Sequence, residues 1–260
     1  MKSKVKATPM FKRYYFRLLG RIAIFLFVFL MYLFKREWFY NLIFDPFIWK
    51  ISIFHILWAI FMFIMIIHIF PNRLITMAQR KSKQIHFEEK QYDRLELLEY
   101  VQDMNRKAWK VLLSWLIIDG VFGVLYLTGV IGEVDLWMLV VFYFACDMIC
   151  IMVYCPFQTH IMHNKCCVNC RIFDWGHFMM FSPTIFMKGF FSWSLFFTAC
   201  VVLIKWEFTY SAHPERFWSG SNATLDCSKC KDKLCKIKKA YIPKRFNSWD
   251  DVTDDEENEN

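Results

Sequence analysis

The sequence predicts an all-α fold: a polytopic membrane helix bundle of four to five spans, with a cytoplasmic helical extension and a Cys-rich loop and tail. Three observations predict it. Of 260 residues, 57% are hydrophobic and 29 are Phe. The apolar residues are gathered into long blocks, and the basic residues flank those blocks. With only 8 Gly and 7 Pro, low complexity is excluded, and the blocks exclude a soluble α/β enzyme and a disulfide-stapled secreted domain. The formal charge of +8 forms no soluble basic face, so the expected partner is the lipid bilayer and not nucleic acid.

Read in windows of about 19 residues, the first block is Leu18 to Phe34, with Arg21 near its start. Lys35-Arg36-Glu37-Trp38 follows where a cleaved leader would have small residues, so this block reads as a retained anchor. The second block is Ile51 to Phe70, interrupted by His55 and His68. Between Tyr92 and Ala108, Leu97, Leu98, Val101, Met104 and Ala108 recur at helical spacing, with Asp103 and Lys107 as an i,i+4 pair. That pattern predicts one continuous helix running into the third block, Val111 to Val130, which contains Asp119. The fourth block is Leu136 to Tyr154, containing Asp147. The fifth, Gly189 to Ile204, is short and closed by Lys205 and Trp206. Behind it lies a second apolar stretch broken at Ser182-Pro183. These two read as a re-entrant or interfacial hairpin with arms over Met179–Phe186 and Phe190–Ile204, which keeps both Cys groups on the cytoplasmic side; the alternative is that Gly189 to Lys205 is a fifth span that carries the tail outside.

Lys and Arg counts orient the chain. Six precede Leu18 and nine lie between Pro71 and Lys110, whereas Gly132-Glu133-Val134-Asp135 has none. Positive charge stays inside, so the expectation is a multi-pass protein of the cell membrane with a cytoplasmic N-terminus. The domain reading is a bundle over 1–206 that includes a cytoplasmic helical segment 71–110, a Cys-rich loop 155–175, and a polar tail 207–260. The tail carries a Cys-rich segment 227–235 and a solvated acidic end.

All ten Cys lie at or after Cys146. Cys146, Cys150 and Cys200 sit inside apolar blocks, where a thiol serves as a small apolar filler. The other seven form two groups: Cys155, Cys166, Cys167 and Cys170, with His160 and His163 nearby, and Cys227, Cys230 and Cys235. Each group contains a C-x-x-C, whose spacing brings two thiolates to one metal ion. Neighbouring lysines and Arg171 help to neutralise a thiolate cluster. The leading expectation is therefore a Cys-ligated metal centre at the membrane surface, an iron–sulfur cluster or zinc. Cys167, Cys170, Cys227 and Cys230 are its core ligands, and Cys155, Cys166, Cys235 and His163 are further candidates. Electron transfer would bring a redox partner protein.

Two alternatives stand beside it. In one, a C-x-x-C is the catalytic dithiol of a membrane thiol–disulfide oxidoreductase. A four-helix membrane bundle with C-x-x-C at its edge resembles the vitamin K epoxide reductase family, whose chemistry serves disulfide formation outside, whereas the charge pattern runs block four inward and puts Cys167 and Cys170 on the cytoplasmic side. In the other, Asp119 and Asp147, charged groups in adjacent apolar spans, serve a small-solute or ion transporter, or else hydrogen-bond to His55, His68, Ser114 or Thr128. No basic partner of similar depth is evident for them in the sequence. No Walker loop, G-x-G-x-x-G, G-x-S-x-G or H-E-x-x-H occurs, so no catalytic residue is named.

Overall fold

The computed structural model describes residues 9–37, 40–41, 52–70, 87–164 and 170–226. Six helices carry the architecture: α1 (Pro9–Phe34), α2 (Ile53–Ile69), α3 (Arg94–Leu127), α4 (Glu133–Met152), the short α5 (Gly176–Phe181) and α6 (Phe190–Ala212). Among the described residues there is no strand, only an isolated bridge between Glu89 and Asn222. Four of the helices, α1, α3, α4 and α6, are long and apolar enough to cross a membrane. At 17 residues, α2 is shorter but equally apolar.

α3 is the single long helix that its periodicity predicts. Asp93 caps it by accepting a hydrogen bond from the Leu95 N–H at 2.9 Å. Its 34 residues rise roughly 51 Å, well beyond a hydrocarbon core of about 30 Å. Leu97, Met104, Ala108, Val111 and Trp115 are buried along one face, Leu98 is exposed, and Lys107 pairs with Asp103 on the other.

Cross-chain contacts fix the direction of each helix. The end where α3 begins is here called the base, and the end where it finishes the crown. Tyr14 and Leu18 of α1 share a base cluster with Met104, Cys170, Tyr210 and Phe217. At the crown, the Tyr32 hydroxyl donates to Asp135 at 2.5 Å and Arg36 pairs with the same carboxylate at 2.9 Å. α2 descends from His55, whose ring meets Phe191 at the crown, to Ile69, whose carbonyl accepts from Lys205. α4 descends from Asp135, and α6 from Phe191 to Tyr210.

Between α4 and α6 the chain crosses the bundle once more, in pieces: a 3-10 turn over Arg171–Trp175, then α5, then a second 3-10 turn over Ser182–Phe186. This broken passage rises roughly 29 Å at ~2.0 Å per residue in 3-10 and ~1.5 Å in α geometry. It packs against α3, α4 and α6, while α1 lies along α4 and α2 along α6. The irregular segment is thus the central strut, and α1 and α2 are outer helices.

The structure corrects the expected hairpin on two counts. Its first arm begins at Arg171 and not at Met179, so 171–175, assigned from sequence to the Cys-rich loop, belong to the bundle. Its second arm runs on to Ala212, past the Lys205 that closes the apolar block. Lys205 and Glu207 do not end the helix because both bond inward, to the Ile69 carbonyl and to Arg171. Beyond α6, residues 213–226 fold back onto the base. Phe217 packs on Trp206 and Tyr210, and Trp218 stacks on Tyr100. The Ala223 N–H donates to the Glu88 carbonyl at 2.8 Å, and Lys90 pairs with Asp226 at 2.7 Å. The His213–Trp218 turn is therefore part of the packed base.

The strut reaches the crown through a close approach to α3. A Cβ added to Gly123 would run into the ring of Phe186. Gly123→Leu is expected to lower stability by about 1–3 kcal/mol, the usual range for overpacking. Combining it with Phe186→Ala should cost less than the sum of the two single changes. Thermal unfolding in detergent measures all three.

Candidate functional site

The strut is polar where the rest of the bundle is apolar, and its side chains meet those of α1, α2, α3, α4 and α6 in three tiers. The tier at the base centres on Arg171, which is only 8% exposed. Its guanidinium donates to Asn105 of α3 and to Glu207 of α6 and lies 4.2 Å from the Tyr210 ring centroid. The Trp175 indole donates to the other oxygen of Glu207 at 2.8 Å, and the Trp206 indole donates to the Arg171 carbonyl at 2.6 Å. Arg171 therefore serves the bundle interior and not the neighbouring thiols, the role its place beside Cys170 suggests in the sequence.

In the middle tier, Arg21 of α1 pairs with Asp147 of α4 and donates to the Phe144 carbonyl at 2.9 Å. Gly176 lets the strut lie against that carboxylate: a Cβ there would come within 2.6 Å of Asp147 Oδ1. Next along the strut, the His177 ring meets His68 of α2 edge-on, with centroids 4.9 Å apart. Nδ1 of each imidazole is buried without a hydrogen-bond partner among the described residues. His68 Nδ1 lies 3.8 Å from Asp174 Oδ1, outside hydrogen-bond reach.

The third tier is one turn nearer the crown. Asp119 of α3 is 4% exposed and faces Ser182 of the strut, Trp115 of its own helix and Tyr143 of α4. The Trp115 indole donates to Ser182 Oγ at 2.9 Å, and its ring centroid lies 4.7 Å from that of Tyr143. Neither Asp119 oxygen, nor the Tyr143 hydroxyl, has a hydrogen-bond partner among the described residues. Tyr143 and Asp147 share one face of α4 at i,i+4, so the second and third tiers form one continuous seam.

Both intramembrane candidates thus differ from their sequence reading. Asp147 does have a basic partner of similar depth, Arg21. Asp119 does not bond to any of the partners suggested for it. Ser114 donates to the Lys110 carbonyl, Thr128 donates to the Val124 carbonyl, and His55 closes a capping box with Ser52. Helical Ser and Thr commonly satisfy their hydroxyls on the preceding turn in this way.

Of the Cys-centre candidates, three are described. The Cys155 thiol hydrogen-bonds with that of Cys150, and its Sγ accepts from the Gln158 N–H at 3.4 Å. His163 is exposed, in a left-handed conformation that ends a π-helical turn over Phe157–Met162. Cys170 is 5% exposed inside the base cluster. Cys166, Cys167, Cys227, Cys230 and Cys235 lie outside the described residues. Among the described residues no group of three or more His, Cys, Asp or Glu side chains is arranged to hold a metal ion. Asn222, within an Asn-Ala-Thr triplet, is fully buried and donates to the Arg216 carbonyl, so it is not a glycan acceptor in this fold.

No protein-family model matches the chain, and comparison with curated proteins and with solved structures finds no match.

Breaking the base tier from one side leaves a buried charge alone. Glu207→Gln is expected to destabilise the protein by about 3–5 kcal/mol, because Arg171 loses its counter-charge. Arg171→Met combined with Glu207→Leu should be milder than Glu207→Gln alone. Thermal unfolding of the purified variants decides the order.

Proposed function

We propose that the chain is a multi-pass membrane protein, with both described ends in the cytoplasm, and that its polar seam carries a small polar solute or an ion across the bilayer. The observation that carries this reading is the seam itself. Arg21, Asp119, Asp147, Arg171, Asp174, His177 and Glu207 converge on one broken passage in a chain otherwise built of Phe, Leu, Ile and Trp. A charge in hydrocarbon is expensive and irregular backbone at that depth needs partners, so both features concentrate where a membrane protein handles polar cargo. Among the described residues, Lys12, Arg13 and Arg17 of α1 and Lys90, Arg94, Arg106 and Lys107, before and within the first half of α3, lie toward the base, which supports a cytoplasmic base under the positive-inside rule. Full-length protein in proteoliposomes, assayed with a panel of alkali cations, protons and small polar solutes, is expected to take up at least one above protein-free liposomes. Ser182→Leu puts an apolar side chain where Ser182 faces Asp119. It should slow that uptake about tenfold or more, the equivalent of about 1.4 kcal/mol on the barrier. Uptake equal to that of protein-free liposomes overturns the reading.

A second reading is supported by a different observation. Cys170 is part of the base cluster, and Asp226, the residue before Cys227, is clasped to the base by Lys90. The described residues that adjoin the two groups, Cys170 and Asp226, therefore lie at the same end of the bundle. In this reading Cys167, Cys170, Cys227 and Cys230 hold zinc or an iron–sulfur cluster there, drawing on Cys155, Cys166, Cys235 or His163, and a cluster would exchange electrons with a partner protein. Anaerobic purification followed by metal and sulfide analysis tests it. Iron with acid-labile sulfide selects the cluster and zinc alone selects the clip, whereas thiols that titrate fully without either metal overturn it.

A further inference from the structure

We propose that Asp119 is a proton-binding site, occluded on its crown side by Phe186, and that the proton is the ion the seam handles. This rests on the transport reading and specifies its ion. Asp119 is only 4% exposed, its polar neighbours are the neutral groups Ser182, Trp115 and Tyr143, and none of them makes a hydrogen bond of normal geometry with either carboxyl oxygen. A carboxylate left in that state is strongly disfavoured, so the group is stable only when its charge is neutralised. No cationic side chain among the described residues acts on it: α3 contributes Trp115, the strut Ser182 and α4 Tyr143, with Cys146 beyond it. The nearest ion pair on α4, Asp147, is already satisfied by Arg21 one turn toward the base.

The neutralising species is a proton and not a metal ion, because the oxygen supply is too small. Ser182 spends its hydroxyl proton on the Met179 carbonyl at 3.0 Å and one lone pair on the Trp115 indole. Tyr143 adds a single oxygen. A hard cation such as Ca²⁺ takes about six or more oxygen ligands, whereas a proton needs only the carboxyl. When the proton leaves, the Tyr143 O–H is the one uncommitted donor facing the carboxylate, since the Trp115 N–H is held by Ser182.

The same geometry shows what closes the site. Asp119 and Gly123 are one helical turn apart on one face of α3, and Ser182 and Phe186 follow them in parallel on the strut. The Phe186 ring occupies the space that a side chain at Gly123 would take. Proton exchange with the crown side therefore requires that ring to move, and exchange with the base side runs past Asp147 and His177.

Infrared difference spectroscopy of the full chain in lipid nanodiscs, recorded between low and high pH, tests the proposal. The expected result is the carbonyl band of a protonated carboxyl that shifts on ¹³C-aspartate labelling, fades as pH rises and is absent from Asp119→Asn. Tyr143→Phe, which removes one hydroxyl and keeps the ring, should retain the band and displace both its frequency and its titration midpoint, so the test survives if Asp119→Asn does not fold. Phe186→Ala should speed the response of the band to a pH jump. A spectrum in which Asp119→Asn leaves the band unchanged, or in which Tyr143→Phe does not displace it, overturns the site. A band that sodium abolishes at constant pH overturns the proton in favour of a metal cation. An unchanged rate in Phe186→Ala overturns the plug. The band present without proton flux in proteoliposomes sinks the transport reading and keeps the site, whereas flux without the band does the reverse.

Discussion

Everything in this bundle depends on how one broken segment satisfies its backbone. A helix interrupted inside a packed apolar bundle frees carbonyls that water does not reach, and each would cost about 1–3 kcal/mol if left unpaired. Pro183 marks the second change of geometry: it lacks the N–H that an α-helix would bring to the Met179 carbonyl, and α5 gives way there to the 3-10 turn over Ser182–Phe186. The freed carbonyls are then met from the side chains around them. Ser182 donates to Met179, Thr184 to Phe181 and to Ser192, Trp193 to Ile185, and Trp206 to Arg171. Two of the donors are indoles of α6, so the strut and α6 are bonded to each other along their length. That is why the strut holds the centre while the regular, self-satisfied helices α1 and α2 lie outside.

A satisfied break makes room for charge. Gly176 brings the strut backbone against Asp147, and the first 3-10 turn aims Arg171 between Asn105 and Glu207. Such buried pairs add little net stability over a well-packed apolar core, because desolvation consumes most of the Coulombic gain. Their value here is directional: each pair ties the strut's surroundings at a fixed depth, and each leaves a neighbouring group without a partner. His68, His177, Asp119 and Tyr143 all have buried polar atoms that the described residues do not serve. In a seam already so polar, unserved atoms mark the places where a visiting ligand gains most.

Much of the scaffold was legible in the sequence, for physical reasons that differ by element. α3 was legible because its apolar stripe and its Asp103–Lys107 pair report the same 3.6-residue period, while its Asp93 cap became evident only in the fold. α1, α2 and α4 were legible because long apolar runs have few alternatives. The strut was not, since 3-10 and α turns in alternation leave no single period, and its first turn was masked by the cysteines before it. The end of α6 was missed because Lys205 and Glu207 look like a boundary until their partners, far away in sequence, are known. Among the site residues, Asp119 and Asp147 stood out as charges in apolar runs. Arg21 was visible but seemed merely to flank its block, and Ser182, Tyr143 and His177 carried no local signal at all.

The attachment of α1 has a mechanical consequence. α1 lies along α4, fastened by Arg21 to Asp147 near the middle and by Tyr32 and Arg36 to Asp135 at the crown. The two fasteners sit roughly 18 Å apart along α4, taking ~1.5 Å per residue. Apolar contacts between two such helices discriminate weakly between sliding positions one turn apart. The two polar anchors remove that freedom: a slip of one turn, about 5.4 Å, would unseat both at once. α1 therefore behaves as a ruler held at two polar marks, and any rearrangement that releases Asp147 from Arg21 leaves it held by the crown anchor and by the apolar packing of Tyr14 and Leu18 at the base.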